Sequence, residues 1–137
     1  MPSRSKLCVS RDPNRLQAFV LADELVLDAY RATQGFPAAE RFGLQSQIRR
    51  GAVSVPANLV EGCARRSQRD YLHFVGIAVA SASEVRHLIN LAVRLKFASA
   101  TEGERLQVGY GRVIRALQAL VTSLNSLEVR GPRPEAP

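Results

Sequence analysis

Between Leu44 and Ser67, apolar and small residues recur at helical spacing almost all the way round the axis. At about 100° per residue, Leu44, Ile48, Ala52, Val55, Leu59 and Cys63 share one stripe. Val53 and Val60 lie well off that stripe, and Gly51, Ser54, Ala57, Asn58 and Gly62 fill its sides with small residues. A surface helix shows one apolar face, whereas a helix apolar on several sides is buried on several sides. In a short chain, that predicts a partner subunit as well as an intramolecular core.

Three further helices follow from their ends and their periodicity. Asp12-Pro13 supplies an N-cap followed by proline at the first helical position. The helix it opens should run to about Thr33, with Leu16, Phe19, Val20, Leu27 and Tyr30 inward, and Gly35-Phe36-Pro37 should end it. The second helix should start between Glu40 and Leu44 and end around Ala64. Ser67-Gln68-Arg69-Asp70 resembles a capping box with aspartate in place of glutamate and opens the third helix. The inward stripe of that helix reads Tyr71, Phe74, Ala78, Ala82, Val85, Ile89, Ala92 and Leu95. Thr101-Glu102-Gly103-Glu104 is a second box and opens the fourth. There Leu106, Tyr110, Val113, Leu117, Leu120, Leu124 and Leu127 form a heptad seam suited to shallow helix crossing.

No segment shows sustained alternation of apolar and polar residues, so no strand is expected. Short connections between long helices predict an all-α, up-down-up-down four-helix bundle over residues 12–129, flanked by disordered tails at 1–11 and 130–137. Pro56 falls inside the second helix and removes the bond to the Ala52 carbonyl. No polar or glycine-rich loop surrounds it, which favours a kink over a break.

The third helix repeats the oddity of the second, since Tyr71 to Ser83 contains no charged residue. Two neighbouring helices without a charged outer face over about three turns define an assembly surface, because a lone bundle rarely exposes so large a patch. Val53, Ala57, Asn58, Val60 and Glu61 on the second helix, with Gly76 and Ala80 on the third, are its candidate residues. A closed homo-oligomeric ring is the expected assembly.

Charge adds a second constraint. The formal net charge is +7, from 19 basic and 12 acidic residues, which favours polyanionic partners. Asp12, Asp23, Glu24 and Asp28 outweigh Arg15 and Arg31 in the first helix, so the basic excess lies elsewhere. Arg65, Arg66 and Arg69 cluster around the turn between the second and third helices, and Arg49 and Arg50 precede the apolar core of the second. Two roles fit them: phosphate contact, or ion pairs and solvated helix ends, the latter suiting Arg65 and Arg66 beside a negative helix C-terminus. Arg86, Arg94, Lys96, Arg112 and Arg115 read as solvated faces of the later helices. Asn58, Glu61 and Gly62 read as structural, with Asn58 serving the kink or an interface and Gly62 allowing close packing.

Candidate chemistry is sparse. Glu84-Val85-Arg86-His87 matches one half of a di-iron ligand pattern, but the other histidine, His73, lies fourteen residues earlier, about 21 Å along the same helix. Cys8 and Cys63 lack metal-ligand spacing, and two cysteines without a framework point to a reducing compartment. There is no glycine-rich phosphate loop and no nucleophile–base constellation. No enzyme activity, metal or cofactor is expected. The N-terminus lacks the apolar core of a signal peptide, and no run approaches the roughly 20 apolar residues of a membrane span, so a cytoplasmic protein is expected.

The run Phe36-Pro37-x-x-Glu40-x-Phe42-Gly43-Leu44-x-x-Gln47-Ile48-Arg49-Arg50, followed by Val53-Ser54-Val55-Pro56-x-Asn58-Leu59-x-Glu61-Gly62, resembles a bacterial four-helix-bundle family. That family includes proteins encoded by intervening sequences in 23S ribosomal RNA genes, with the accessory variability determinants of diversity-generating retroelements as relatives. The resemblance covers roughly Leu16 to Leu127, with Gly51 where alanine is usual and Val60 where Ile-Ala is typical after Leu59. It implies a ring of five bundles, and, from the retroelement members, binding to nucleic acid and to a reverse transcriptase. Together these readings predict a non-enzymatic homo-oligomer, a pentamer by resemblance, that binds RNA or DNA through its basic surface with little sequence preference. The alternative is a scaffold or accessory subunit for a nucleic-acid enzyme such as a reverse transcriptase.

Overall fold

Asp12 accepts a hydrogen bond from the Asn14 backbone N–H at 3.0 Å and starts a single 3-10 turn, Pro13–Arg15. The computed structural model describes residues 11–129. Leu16 then turns extended, and helix α1 runs Gln17–Thr33. A second 3-10 turn, Ala38–Glu40, leads into α2, Leu44–Cys63. Helices α3, Gln68–Arg94, and α4, Ala100–Val129, complete the described chain, which contains four α-helices and no strand. The expected tails at 1–10 and 130–137, and Cys8 with them, lie outside the described residues. Arg11, expected in the first tail, is docked: its backbone N–H donates to the Cys63 carbonyl at 2.9 Å.

Each helix packs against its two neighbours in the order α1, α2, α3, α4 and back to α1. The pairings run antiparallel. Arg49 of α2 reaches Tyr30 and Thr33 of α1, Ser54 meets Ser81 of α3, Gly111 of α4 lies under Arg86, and Gly109 faces Leu25. The result is the expected up-down-up-down bundle. Glycines bring the helices close at several levels: a Cβ at Gly51 would stand 2.5 Å from Val85 Cγ2, and one at Gly62 3.0 Å from Phe74 Cβ.

The α2 stripe is buried throughout, and α2 passes Pro56 as one helix rather than two. The α4 seam is buried from Leu106 to Leu117, half-buried at Leu120 and Leu124, and exposed at Leu127. On α3, Val75 and Leu88 join the predicted stripe, whereas Phe74 is only half-buried and Leu95 is exposed. Helix α1 corrects its expectation most. Its inward face is Ala18, Ala22, Leu25, Ala29 and Ala32, while Val20, Leu27 and Tyr30 are 42–57 % exposed. Close packing selects the alanine face, since small side chains let two backbones approach, and the larger residues turn outward.

The caps differ in one place. Ser67 accepts from the Asp70 N–H at 3.1 Å, as expected, but α4 is capped by Ser99, which accepts from Glu102, and not by Thr101. The turn before α2 is held by Glu40, whose carboxylate accepts from the Leu44 N–H at 2.9 Å. A Cβ at Gly43 would stand 2.6 Å from that carboxylate oxygen, so glycine keeps the cap in place. At the end of α3, Lys96 adopts a left-handed φ of 63°, and Phe97 N–H returns to the Ala92 carbonyl at 2.9 Å, closing a Schellman turn.

Candidate nucleic-acid interface

Helix α2 ends and α3 begins at one pole of the bundle, and the end of α4 reaches the same pole, where Gln68 Nε2 donates to the Leu124 carbonyl at 3.5 Å. Four guanidinium groups gather there. Arg11 lies 4.0 Å over the Tyr71 ring. Arg65 lies 4.8 Å over the Phe74 ring and pairs with Glu61 at 2.6 Å, both side chains about half exposed. Arg66 and Arg69 are exposed and form no ion pair among the described residues. Beneath them, burial pushes the Cys63 thiol and the Tyr71 hydroxyl above their ordinary pKa values, against the opposing pull of Arg11. Both groups therefore stay neutral, and the charge of the pole is set by the arginines and the carboxylates of Asp12, Glu61 and Asp70.

The structure separates Arg49 and Arg50 from this cluster. Thirteen helical steps, about 20 Å, separate Arg50 from Cys63 at the end of α2, and Arg65 lies beyond that end. Arg49 is also already engaged. Its Nε donates to Thr33 Oγ1 at 2.8 Å, its Nη2 to the Tyr30 carbonyl at 3.2 Å, and its guanidinium lies 4.5 Å over the Tyr30 ring. Thr33 is buried and passes its own proton to the Ala29 carbonyl at 2.8 Å, and Gln45 Nε2 donates to the Thr33 carbonyl at 2.7 Å. Arg49 thus fastens α2 to the end of α1, and Arg11, absent from the sequence-based candidates, stands at the pole instead. Arg50 remains exposed, on the same outward strip as Val53 and Ala57.

The candidate assembly residues lie as follows. Val53, Ala57, Val60 and Glu61 on α2, and Gly76 and Ala80 on α3, are exposed on the outer surface of the bundle. Asn58 differs: it is half-buried, and its Nδ2 donates within the subunit to the Ser54 carbonyl at 2.8 Å and to Ser54 Oγ at 2.9 Å. Ser54 Oγ in turn lies 2.9 Å from Ser81 Oγ, so Asn58 supports the α2–α3 contact from inside. Val20, Leu27 and Tyr30 of α1 extend the exposed apolar surface beyond α2. Sequence reasoning assigned them to the core. The signal that separates them is the alanine series four and three residues apart on the other face.

A model of the 23S rRNA-intervening sequence protein family matches residues 14–119. A crystal structure of a protein of unknown function from the S23 ribosomal protein family of Bacteroides thetaiotaomicron superposes with a TM-score of 0.69. The two chains are 19% identical over 76% of this chain and 97% of the other, a likeness that establishes the shared fold. No curated protein matches the sequence.

Proposed function

The chain belongs to the 23S rRNA-intervening sequence protein family, and from that premise we propose that it is a non-enzymatic, homo-oligomeric helical bundle that binds RNA or DNA electrostatically. The carrying observation is the arginine pole, where exposed Arg66 and Arg69 share the α2–α3 turn with Arg65 and Arg11 packs on Tyr71 in the first turn of α3. Phosphate neutralisation by such a cluster releases counterions and carries no sequence information. Arg11 covers the Tyr71 ring and Arg65 the Phe74 ring, so neither offers a free platform for base stacking, and the exposed His73 ring stands edge to face against Phe74. Binding with little sequence preference follows. Assembly into a ring, of five by resemblance, repeats the pole and raises avidity without any new type of interaction.

Filter binding of a single-stranded oligonucleotide across a salt series tests this. Affinity should fall steeply with salt, and Arg66→Gln with Arg69→Gln should make the log–log slope shallower by about 0.7 for each phosphate no longer neutralised. Affinity unchanged between low and moderate salt overturns the reading.

A second reading has its own observation. The exposed apolar residues Val20, Leu27, Tyr30, Val53 and Val60 suit a protein partner, so the bundle would serve as a scaffold or accessory subunit for a nucleic-acid enzyme such as a reverse transcriptase. A pull-down from native cells that recovers such an enzyme after nuclease treatment supports it; recovery that vanishes with the nucleic acid returns the choice to direct binding.

A further inference from the structure

Outside the arginine pole, the groove between α3 and α4 brings together basic side chains that the pattern of the chain had scattered over two solvated faces. Gly111 of α4 is buried because Arg86 and Arg115 cover it: a Cβ there would stand 3.5 Å from Arg86 Cζ and 3.6 Å from Arg115 Nη1. The two guanidinium groups therefore lie within about 7 Å of each other. Neither forms an ion pair among the described residues. Beside them opens a cleft of about 430 Å³ lined by Ser83, Arg86, His87, Asn90, Gln107 and Ile114, with no carboxylate in its wall. Asn90 Oδ1 accepts from Arg94 Nε at 2.9 Å, which holds a third guanidinium at the rim.

We propose that this α3–α4 groove is a phosphate-binding site, with Arg86 and Arg115 as its paired ligands. Two like charges facing one point oppose each other until an anion stands between them, and guanidinium forks match phosphate oxygens in geometry as well as charge. The amides of Asn90 and Gln107 supply further donors at the wall, whereas the Ser83 hydroxyl is already donating to the Val79 carbonyl at 2.9 Å. Arg69 and Arg86 are seventeen residues apart on α3, about 25 Å. Within a duplex, where each strand carries one charge per about 3.4 Å of axis, roughly seven nucleotides of one strand span that distance. The macromolecular source of the phosphate, a nucleic-acid backbone, rests on the function proposed above; the phosphate chemistry of the groove does not.

Calorimetric titration with sodium tripolyphosphate decides the site, using the full chain, Arg86→Gln with Arg115→Gln, and Arg66→Gln with Arg69→Gln. All four arginines are exposed, so their removal leaves the core untouched. The groove variant should lose the tightest tripolyphosphate site by about tenfold or more, the equivalent of one charge-assisted hydrogen bond. The pole variant should keep it. Equal tripolyphosphate affinity in the full chain and the groove variant, or no binding by either, overturns the proposal. Titration with a single-stranded oligonucleotide then identifies the source. Weaker binding by the groove variant, with a slope shallower by about 0.7 per phosphate, assigns the site to the nucleic-acid backbone. Unchanged oligonucleotide binding beside abolished tripolyphosphate binding assigns it to a free polyphosphate. If the full chain binds tripolyphosphate in the groove but no oligonucleotide, the groove stands and the nucleic-acid function falls.

Discussion

The α1–α2 side of the bundle and the α3–α4 side cover the same core, yet they offer solvent opposite chemistry. On the first, Val20, Leu27, Tyr30, Val53 and Val60 stand exposed. On the second, Arg86, His87, Asn90, Arg94 and Arg115 line or border a groove without carboxylates. The helices succeed one another round a square, so these two sides face away from each other. The inward positions explain part of the difference. Helix α1 buries alanines and so has its larger apolar residues left over for the outside, whereas α4 spends Leu106, Tyr110, Val113 and Leu117 on the core. An apolar side suits a protein surface, and a basic side an anion. One bundle can therefore assemble through one side and bind polyanion through the other without the two partners competing for surface.

Charges placed on the apolar side should have the largest effect. Leu27→Arg and Ala57→Arg put guanidinium groups on positions already exposed in the subunit, so helicity and subunit melting should hardly change. At an assembly interface the same charge is desolvated without a partner, at a cost of about 3–5 kcal/mol. Light scattering at micromolar concentration should show the unaltered chain as an oligomer and both variants as monomers. Ala80→Arg on α3 sharpens the comparison. If it dissociates the assembly while Leu27→Arg does not, the seam runs over α2 and α3 and the exposed residues of α1 are left for another partner. An unaltered chain that is monomeric overturns the assembly altogether.

How far these sides were legible depended on which residues carried each face. The α4 seam could be read directly because large apolar residues recur there in steps of four and three among polar ones, and the α2 stripe because Leu44, Ile48, Val55 and Leu59 share one face at helical spacing. On α1 the larger residues pull the apparent apolar face toward Val20, Leu27 and Tyr30, while the buried series is mostly alanine. Only close approach to α2 and α4 decides between them, and approach is a tertiary quantity. The site was legible to a similar degree. Arg65, Arg66 and Arg69 lie together in sequence, and the turn between α2 and α3 keeps them at one pole. Arg49 reads as a phosphate ligand until Thr33, sixteen residues earlier, is seen to accept its proton. Arg86 and Arg115 are far apart in the chain, and nothing short of antiparallel packing of α3 on α4 places both over Gly111.

The polar hub inside the apolar side should give the next largest effect. Thr33→Val keeps the shape of the side chain but removes the hydroxyl that accepts from Arg49 and donates to Ala29. An unsatisfied donor at a part-buried site costs about 1–3 kcal/mol, and urea denaturation should show a loss in that range. Arg49→Gln should destabilise by a similar mechanism while leaving the salt dependence of nucleic-acid binding unchanged. A shallower salt slope in that variant would restore Arg49 to the phosphate ligands.

The smallest effect is expected beneath the basic side, and its sign is opposite. Tyr110 is fully buried in α4, and its hydroxyl has no hydrogen-bond partner among the described residues. Thr33, equally buried, uses its hydroxyl twice; Tyr110 has no partner among the described residues to offset the desolvation of its hydroxyl. Burial, with a smaller contribution from Asp28, drives the Tyr110 hydroxyl far above its ordinary pKa, and burial raises the Cys63 thiol and the Tyr71 hydroxyl as well. Above about pH 9 the unfolded chain releases these protons while the folded chain holds them, so stability should fall with rising pH. Tyr110→Phe keeps the ring in the seam and removes the hydroxyl. It should leave stability at neutral pH unchanged or raise it by up to about 1 kcal/mol, and it should flatten the alkaline loss. Urea midpoints for both proteins at pH 7 and at pH 10 measure the two effects together. A clear loss of stability at pH 7 would mean that the hydroxyl has a partner after all, and the contrast with Thr33 would then disappear.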